Sequence, residues 1–586
     1  MNGNELLWPR GEKRGSLEIS QAGDDLELGR LSALLFPCLR EAEALSFASS
    51  LLTDDGETLR MRQEALLELL EHPETVQALE KLLALTEELD TCGRGVRENI
   101  SALRLSRLDA AVDGLKKTML RLGKDVSRQG AELLEEAGAD NRYAQLLRLT
   151  HFRRRLLKLY TEMLSLLRES VRGKDFRSEV LVSLGAWTEE VFEKDRIPDT
   201  ASALERLDAE WKGVGAFAID VCLDSRRNIT GLELYEVREE PYAKPGMLEG
   251  ALSGEARDGI TSLLAFPQVG AGVVFQEYLL SEAGYEARDK LTRLRDALTK
   301  LPLSGGETLL SLREALRFYT GAAAFALKLR SRGASVCTPQ LTEDVTFEFR
   351  GALLPEQSYS GELPVPNDLR LPLGGSLLLT GPNSSGKTCC LIMAGQLLFL
   401  GQLGCLLPAQ EGRFSPRDRL LTLFAAGESE TGEDSRMGME IRRIRQLREG
   451  MTPRSLFLFN EPMTSTSAQE GGSICARLLS DLAEQEVPAM LVTHFNHIWG
   501  ELTERFRALG KTEKLRSLVM TAEEGPEGIR YLYRLKEAPP PPSSHARAVA
   551  AKQGVSLEAL LTALGSRGLD MRPEDAGWDR VRRGAV

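Results

Sequence analysis

The sequence predicts a multidomain protein in which a long helical region is followed by an α/β domain with a mostly parallel sheet. At 586 residues the chain exceeds what one hydrophobic core normally organises, so roughly two to four domains are expected. Amphipathic helical patterns dominate residues 30–340. After residue 340, short apolar runs alternate with helical patterns, which is typical of a parallel sheet covered by helices.

Composition and charge limit the class of protein. With 42% hydrophobic and 27% charged residues, the chain has an ordinary globular composition. A formal net charge of −12 argues against a surface coated in basic charge for nucleic acid, although it does not exclude a local basic groove. The eight cysteines are scattered without a C-x-x-C pair, which predicts reduced thiols. No apolar signal segment or membrane span is found, so we predict a cytoplasmic protein.

Three stretches of the helical region repeat leucine at three- and four-residue spacing: 59–89, 141–171 and 285–301. Each predicts an amphipathic helix whose apolar stripe needs a partner. Residues 218–243 alternate instead with period two and predict a small β insertion. The most basic run of this region, "HFRRRLLKLY" at 151–160, is interpreted as a solvated helix face.

The α/β region begins with "GGSLLLTGPNSSGKTCCLIMAGQLLFLG", residues 374–401, which reads strand, glycine-rich turn, helix. The turn matches the phosphate-loop pattern G-x-x-x-x-G-K-[ST]. In that pattern backbone N–H groups at a helix N-terminus converge on phosphate oxygens, the lysine neutralises the outer phosphates and the hydroxyl binds magnesium. The predicted nucleotide-binding residues are Gly381, Pro382, Asn383, Ser384, Ser385, Gly386, Lys387, Thr388 and Cys389.

Two later apolar runs end in polar residues, as buried strands do at the edge of a nucleotide site. "SLFLFNEP" reaches Asn460 and Glu461, and "PAMLVTHF" reaches His494. Their order after the phosphate loop predicts a catalytic set of three residues. Lys387 neutralises phosphate charge, Glu461 polarises the water that attacks the γ-phosphate, and His494 contacts that phosphate.

Asn460 occupies the position where an aspartate usually helps to hold magnesium. An asparagine carbonyl accepts a hydrogen bond from a metal-bound water but contributes only a dipole. The sequence therefore predicts a Mg²⁺ site at Thr388 and Asn460 and a functional but slow magnesium-dependent ATPase. The alternative is a site that binds ATP without hydrolysing it.

Together these motifs resemble the ATPase domain of the MutS family. The resemblance is specific across about 375–500, and the segments that carry it are "TGPNSSGKT", "GQLGCLLPAQ", "DRLLTLFAAGESETGEDSRMGMEIRRI", "LFLFNEPMTSTSAQEGGS" and "THF". It implies an ABC-type P-loop domain that uses ATP and Mg²⁺. It also implies a homodimer in which Ser435 caps the γ-phosphate of the other subunit, with Thr466 and Ser467 in a loop that communicates between the two ATP sites.

The resemblance implies a domain order as well. The expected segments are an N-terminal tail at 1–29, helical core and lever regions at 30–340, the ATPase domain at 341–536, and a Pro-rich linker with a short helical tail at 537–586. We expect neither the family's N-terminal mismatch-recognition domain nor the small nuclease domain of one branch, because the chain leaves too little length for either.

The leading hypothesis is a dimeric MutS-related ATPase that uses ATP to open and close a helical clamp around DNA or branched nucleic acid. The DNA part rests on family resemblance alone. The alternative is an ATP-regulated module whose helical arms bind a protein or RNA partner. A metabolic kinase is disfavoured, because no acceptor-substrate domain is recognisable.

Overall fold

The computed structural model describes residues 17–19, 22–121, 128–212, 216–223, 229–238, 284–424, 436–525 and 528–541. The chain forms two compact units. Unit 1 comprises residues 1–9, 77–177 and 181–316, and unit 2 comprises residues 10–76, 178–180 and 317–586. Among the helices of these described ranges, none combines the length and apolarity that crossing a bilayer requires.

Helices dominate the chain before residue 340. They are α1 (Ala22–Asp25), α2 (Leu28–Leu35), α3 (Glu41–Leu51), α4 (Gly56–Glu71), α5 (Pro73–Arg121), α6 (Arg128–Val171), α7 (Glu179–Lys194), α8 (Ile197–Lys212), α9 (Gly284–Lys300), α10 (Gly306–Ser311) and α11 (Arg313–Ser331). Where the sequence favours β structure, strands β1 (Ala216–Leu223) and β2 (Ile229–Arg238) form an antiparallel pair.

The amphipathic stretch 59–89 forms two helices rather than one. Helix α4 ends at Glu71, His72 leaves the helical conformation with φ −127° and ψ 66°, and α5 begins at Pro73. Proline is tolerated at the first position of a helix, and it disfavours the α conformation in the residue before it. The apolar periodicity continues across this break, which is why periodicity alone does not reveal it.

Unit 1 uses its most basic run for internal contacts. Arg153 donates to the carbonyl of Leu298 at 3.5 Å, and Arg155 pairs with Glu88 at 2.6 Å. Arg154 and Lys158 both pair with Asp208. Helix α6 packs on α8 and α9 through a leucine cluster made of Leu157, Leu204, Leu294 and Leu298. The run 151–160 therefore holds helices together, and it is not simply a solvated face.

Unit 2 contains the remaining strands and helices. The strands are β3 (Gln340–Leu341), β4 (Val345–Ala352), β5 (Asn367–Pro372), β6 (Ser376–Thr380), β7 (Glu411–Phe414), β8 (Arg419–Phe424), β9 (Ser455–Asn460), β10 (Ala489–Val492), β11 (Leu515–Gly525) and β12 (Gly528–Glu537). The helices are α12 (Pro355–Ser360), α13 (Lys387–Leu403), α14 (Arg436–Glu449), α15 (Ala468–Glu484), α16 (Ile498–Ala508) and a 3₁₀ turn (Thr512–Lys514).

Two sheets organise unit 2. The larger has the order β12-β11-β6-β10-β9-β8, in which β12 pairs antiparallel with β11 and the other neighbours are parallel. The smaller has the order β3-β7-β4-β5 and is mostly antiparallel. This confirms the predicted α/β part with a mostly parallel sheet. Strand order reverses around β6, and ligands of such sheets bind at the carboxyl ends of strands near a reversal.

Helix α13 runs through the core of unit 2. Almost every residue from Cys390 to Leu403 is buried, as expected for a helix that is apolar on all sides. The N-terminal segment of unit 2, residues 22–71, packs onto this helix. Gln396 donates to the carbonyl of Leu26 at 3.0 Å, and the fully buried Arg62 donates at 2.8 Å to the carbonyl of Leu403 at the end of the helix. Both ends of this segment thus fix the position of α13.

Candidate functional site

The turn between β6 and α13 carries the sequence pattern G-x-x-x-x-G-K-[ST] and contains several residues with positive φ. Gly381, Ser384 and Gly386 have φ values of 141°, 62° and 95°. A Cβ atom on Gly381 would lie 2.7 Å from the Cβ of Met520, so no larger residue fits there. The first N–H groups of a helix lack intrahelical acceptors, and no side chain caps α13 at Gly386. This turn therefore presents a partial positive charge suited to phosphate.

Lys387 lies inside this turn with only 5% of its side chain exposed. Its Nζ donates to the carbonyls of Gly381 and Pro382 at 3.1 and 3.0 Å, and lies 3.7 Å from Glu461 Oε1. Burial lowers the pKa of Lys387, and the Glu461 carboxylate opposes that shift. The site thus holds a buried ammonium and a carboxylate at its edge.

Thr388 and Asn460 meet at the carboxyl edge of the sheet. Thr388 Oγ1 donates to Asn460 Oδ1 at 3.1 Å, although the two residues are 72 positions apart. A hydroxyl and an amide carbonyl are oxygen ligands of the kind that magnesium prefers, so the pair fits this ion. Across the described part of the chain, no group of three or more His, Cys, Asp or Glu side chains could hold a metal.

Glu461 follows directly on β9 and has a left-handed backbone, with φ 50°. Its N–H donates to the carbonyl of Val492 at 2.8 Å, which ties the start of the loop to the end of β10. Two residues later, the buried Met463 is also left-handed, with φ 61°. Such conformations cost about 1–3 kcal/mol each outside glycine and concentrate at functional sites.

These side chains surround one cavity of about 720 Å³ in unit 2. That volume lies within the usual range for small-molecule sites, about 300–1,000 Å³. The lining residues are Leu354, Gln357, Glu362, Leu363, Pro364, Val365, Asn367, Asn383, Ser384, Gly386, Lys387, Thr388, Cys389, Cys390, Met393, Asn460, Glu461, Met520 and Tyr533. The structure therefore brings the predicted phosphate loop, Asn460 and Glu461 together around one cavity.

Sequence reasoning missed the wall of this cavity that β5 and β12 provide. Asn367 donates to the carbonyl of Tyr533 at 2.9 Å and accepts from the N–H of Leu535 at 2.7 Å. Tyr533 has φ 53°, and its ring lies 3.3 Å from where a Cβ on Gly386 would stand. No local pattern marks either residue, since β5 and β12 meet only in the folded unit.

The remaining predicted residues lie in different surroundings. His494 follows β10 and is exposed; its ring lies 4.4 Å from that of Phe495 at an angle of 55°, and it is not among the cavity-lining residues. Ser435 lies outside the described residues. Ser385 donates to the carbonyl of Pro382 at 2.7 Å within the turn. Thr466 and Ser467 both bond to Glu470, and Ser467 caps the start of α15.

Comparison with known proteins adds sequence relatives to this geometry. Residues 377–565 match the family model of MutS domain V. The chain is 29% identical over 282 residues to the DNA mismatch repair protein MutS of Sorangium cellulosum, covering 47% of this chain and 30% of that protein. It is 26% identical over 275 residues to the Endonuclease MutS2 of Lactobacillus helveticus, covering 45% and 34%. It is 28% identical over 198 residues to the DNA mismatch repair protein Msh6 of Gallus gallus, covering 32% and 15%. The matched regions therefore span well under two thirds of each relative.

Proposed function

Since this chain belongs to the MutS family, we propose that unit 2 is an ABC-type P-loop domain that binds ATP and hydrolyses it slowly. The observation that carries this proposal is the convergence of Lys387, Thr388, Asn460 and Glu461 on one cavity of about 720 Å³. These residues come from two distant parts of the chain. Chance packing rarely gathers a lysine, a hydroxyl, an amide and a carboxylate beside a glycine-rich helix start.

Each group has a role in this proposal. The N–H groups of the turn and Lys387 neutralise the outer phosphates, and Lys387 exchanges its carbonyl partners for phosphate oxygens. Glu461 orients the attacking water, and its left-handed backbone directs the carboxylate toward the cavity. Thr388 and Asn460 hold Mg²⁺, which when bound supplies charge stabilisation of the phosphates. We also propose that His494, which follows β10 between β6 and β9 but does not line the cavity, contacts the γ-phosphate.

The proposal extends to assembly and partners. We propose a homodimer in which Ser435 of each subunit completes the ATP site of the other, and a helical clamp that acts on DNA or branched nucleic acid. The named relatives, two mismatch repair proteins and an endonuclease, support the DNA part. We also propose a cytoplasmic location, which the free thiols of the described cysteines support.

The second candidate is an ATP-regulated module that binds a protein or RNA partner. One observation favours it: Arg153, Arg154 and Arg155 of the most basic run are all engaged within unit 1. Contact with nucleic-acid phosphates, of DNA or of RNA, would require these side chains to leave their present partners, so the observation favours a protein partner. Binding of duplex DNA, branched DNA and RNA, measured side by side, separates the two candidates, and a steep salt dependence of the binding shows that phosphates are contacted.

The ATPase proposal is tested with two variants of the full chain. Lys387→Ala removes the buried cation and should abolish binding of an ATP analogue. Glu461→Gln keeps the shape and loses the charge that orients water, so it should bind ATP and stop turnover. Equilibrium binding and phosphate release are measured in parallel. Unchanged hydrolysis in Glu461→Gln would show that another group activates the water.

A further inference from the structure

The loop after β9 is held in a backbone conformation that its own residues do not favour. Glu461 and Met463 both have positive φ, and neither is glycine. Helix α15 presses directly on this loop, because a Cβ atom on Gly471 would lie 2.6 Å from the carbonyl oxygen of Met463. Conformations of this kind persist only where surrounding groups determine them. The groups that bond to this loop therefore decide where the Glu461 carboxylate points.

Glu440 supplies one of those bonds from a different element. Its Oε2 accepts a hydrogen bond from the N–H of Met463 at 2.9 Å, across 23 positions of sequence. Glu440 lies on α14, and its side chain is half-buried. The neighbouring thiol of Cys475 on α15 responds to this carboxylate, since burial and then Glu440 raise the pKa of Cys475 to about 12. Hydrogen bonds from a backbone N–H to a carboxylate are shorter and stronger than neutral ones.

We propose that Glu440 is a positioning residue for hydrolysis. By fixing the backbone at Met463, two residues beyond Glu461, its carboxylate fixes the direction of the Glu461 side chain at the cavity. The inference rests on the proposed function, in which Glu461 orients the attacking water. It also makes α14 a regulatory element, because a shift of this helix reaches Glu461 through the bond to Met463.

The other contacts of α14 and of the loop agree with such a role. Arg443, one turn further along α14, lies 3.5 Å from Asp25, which also accepts a hydrogen bond from Thr422 on β8. The helix is thus anchored to β8 on one side and to the loop after β9 on the other. Glu440 makes the second of these anchors, on the loop that carries Glu461. The first anchor, at β8, is on a strand that does not carry Glu461.

The test compares three variants of the full chain. Glu440→Ala removes the acceptor and should lower kcat by up to about 100-fold, the usual effect of a misplaced reacting group. The dissociation constant for ATP should stay within about twofold, because Lys387 and Thr388 keep their partners. Glu440→Gln retains a carbonyl acceptor and should recover most of the rate. The matched control is Glu449→Ala, an exposed glutamate on the same helix that pairs only locally with Arg445 in the described contacts.

Hydrogen exchange supplies a readout that does not depend on turnover. Glu440→Ala should speed amide exchange in peptides covering 455–467 and leave the segment 376–403 unchanged. A kcat within twofold of wild type, or a lost kcat without faster exchange in 455–467, overturns the inference. If Glu461→Gln still hydrolyses ATP, the proposed role of Glu461 fails instead, and the exchange data alone decide whether Glu440 holds the loop. If Glu440→Ala does not fold, Glu440→Asp, which withdraws the acceptor by one methylene, takes its place with the same two measurements: a lower kcat with faster exchange in 455–467 supports the inference, and wild-type values of both overturn it.

Discussion

Two buried polar clusters, one in each unit, show how differently this chain uses charge. In unit 1, Asp195 is 2% exposed and accepts from Tyr160 Oη at 2.5 Å, from Ser304 N at 2.8 Å and from Ser304 Oγ at 2.7 Å. Tyr160 in turn accepts from the N–H of Gly305 at 3.0 Å, and burial followed by the Asp195 carboxylate raises the pKa of Tyr160. Every one of these partners comes from unit 1.

In unit 2, Lys387 is equally buried, but its cluster opens onto a cavity. Its partners are two carbonyls of a turn with positive φ angles and a carboxylate at 3.7 Å. The contrast teaches that burial alone does not indicate function. A buried charge whose partners are all fixed groups of a closed core stabilises a fold, whereas a buried charge that faces a cavity beside a strained backbone is available for a ligand.

The largest effect is expected at the cluster in unit 1. We call it the closed cluster, because Asp195, Tyr160, Ser304 and Gly305 bond to one another and do not line the cavity. Asp195→Ala leaves the Tyr160 hydroxyl and two donors of Ser304 without their acceptor, so unit 1 should lose about 3 kcal/mol or more of its free energy of unfolding. Urea unfolding followed by tryptophan fluorescence measures the loss. ATP-analogue binding by the folded protein should be retained, because none of these groups lines the cavity.

Asp199→Ala is the matched control, because Asp199 follows in the next helix turn but forms an exposed pair with Arg196. It should change the free energy of unfolding by no more than about 0.5 kcal/mol. If both variants lose the same stability, the closed cluster is no more than another surface pair. If Asp195→Ala abolishes nucleotide binding while unit 1 stays folded, the distinction between a structural and a functional cluster is wrong.

Local patterns in the sequence predict some elements of the fold and miss others. The phosphate loop, β9 and β10 were predictable because each is a local run in which buried residues end in polar ones. The break at Pro73 was hidden by a continuing apolar stripe. The packing of residues 22–71 against α13 depends on contacts such as Gln396 with Leu26, which join positions hundreds of residues apart.

The candidate site was predictable to the same extent. Lys387, Thr388, Asn460 and Glu461 meet as expected, since parallel strands deliver their carboxyl ends to one edge. Tyr533 joins them through the bonds of the Asn367 side chain on β5 to the backbone of β12, which no local pattern announces. Cross-strand and cross-loop bonds of this kind, including those of Asn367 and Glu440, depend on tertiary contacts that periodicity does not encode.

A smaller effect is expected at the open cluster, that is, the group of Lys387, Thr388, Asn460 and Glu461 around the cavity of unit 2. There Asn460→Asp adds a full charge beside Thr388. Outer-shell partners of metal ions are commonly worth about 10–100-fold in affinity or activity, so the magnesium concentration for half-maximal ATP binding should fall by about tenfold. A magnesium titration of both proteins measures this. Asn383→Asp adds the same charge to the phosphate loop and should not lower the magnesium requirement. Coinciding curves for wild type and Asn460→Asp would mean that Asn460 does not face the metal.

The smallest effect is expected at Glu356, which belongs to neither kind of cluster. It lies beside Glu27 with Arg30 at 4.0 Å, and its side chain is 21% exposed. Burial, followed by the hydrogen bond and charge of Glu27, raises the pKa of Glu356 from 4.5 to about 7, against the opposing charge of Arg30. A carboxyl group with a raised pKa binds more protons in the folded state than in the unfolded one. The contribution of Glu356 to the stability of unit 2 should therefore fall as the pH rises from about 4.5 to about 7.

Glu356→Gln removes this titration while keeping the shape of the side chain, and it sharpens the comparison between the two kinds of cluster. At pH 8 the variant should be more stable than wild type by about 1 kcal/mol, after allowance for solvent screening, and at pH 4 the two should agree. Urea unfolding of the full chain at both pH values measures the difference. Glu362→Gln, which changes an exposed carboxylate of the same segment, should leave the pH dependence as it is. A variant that is no more stable than wild type at pH 8 would mean that Arg30 compensates the pair, and Glu356 would then belong with the closed clusters.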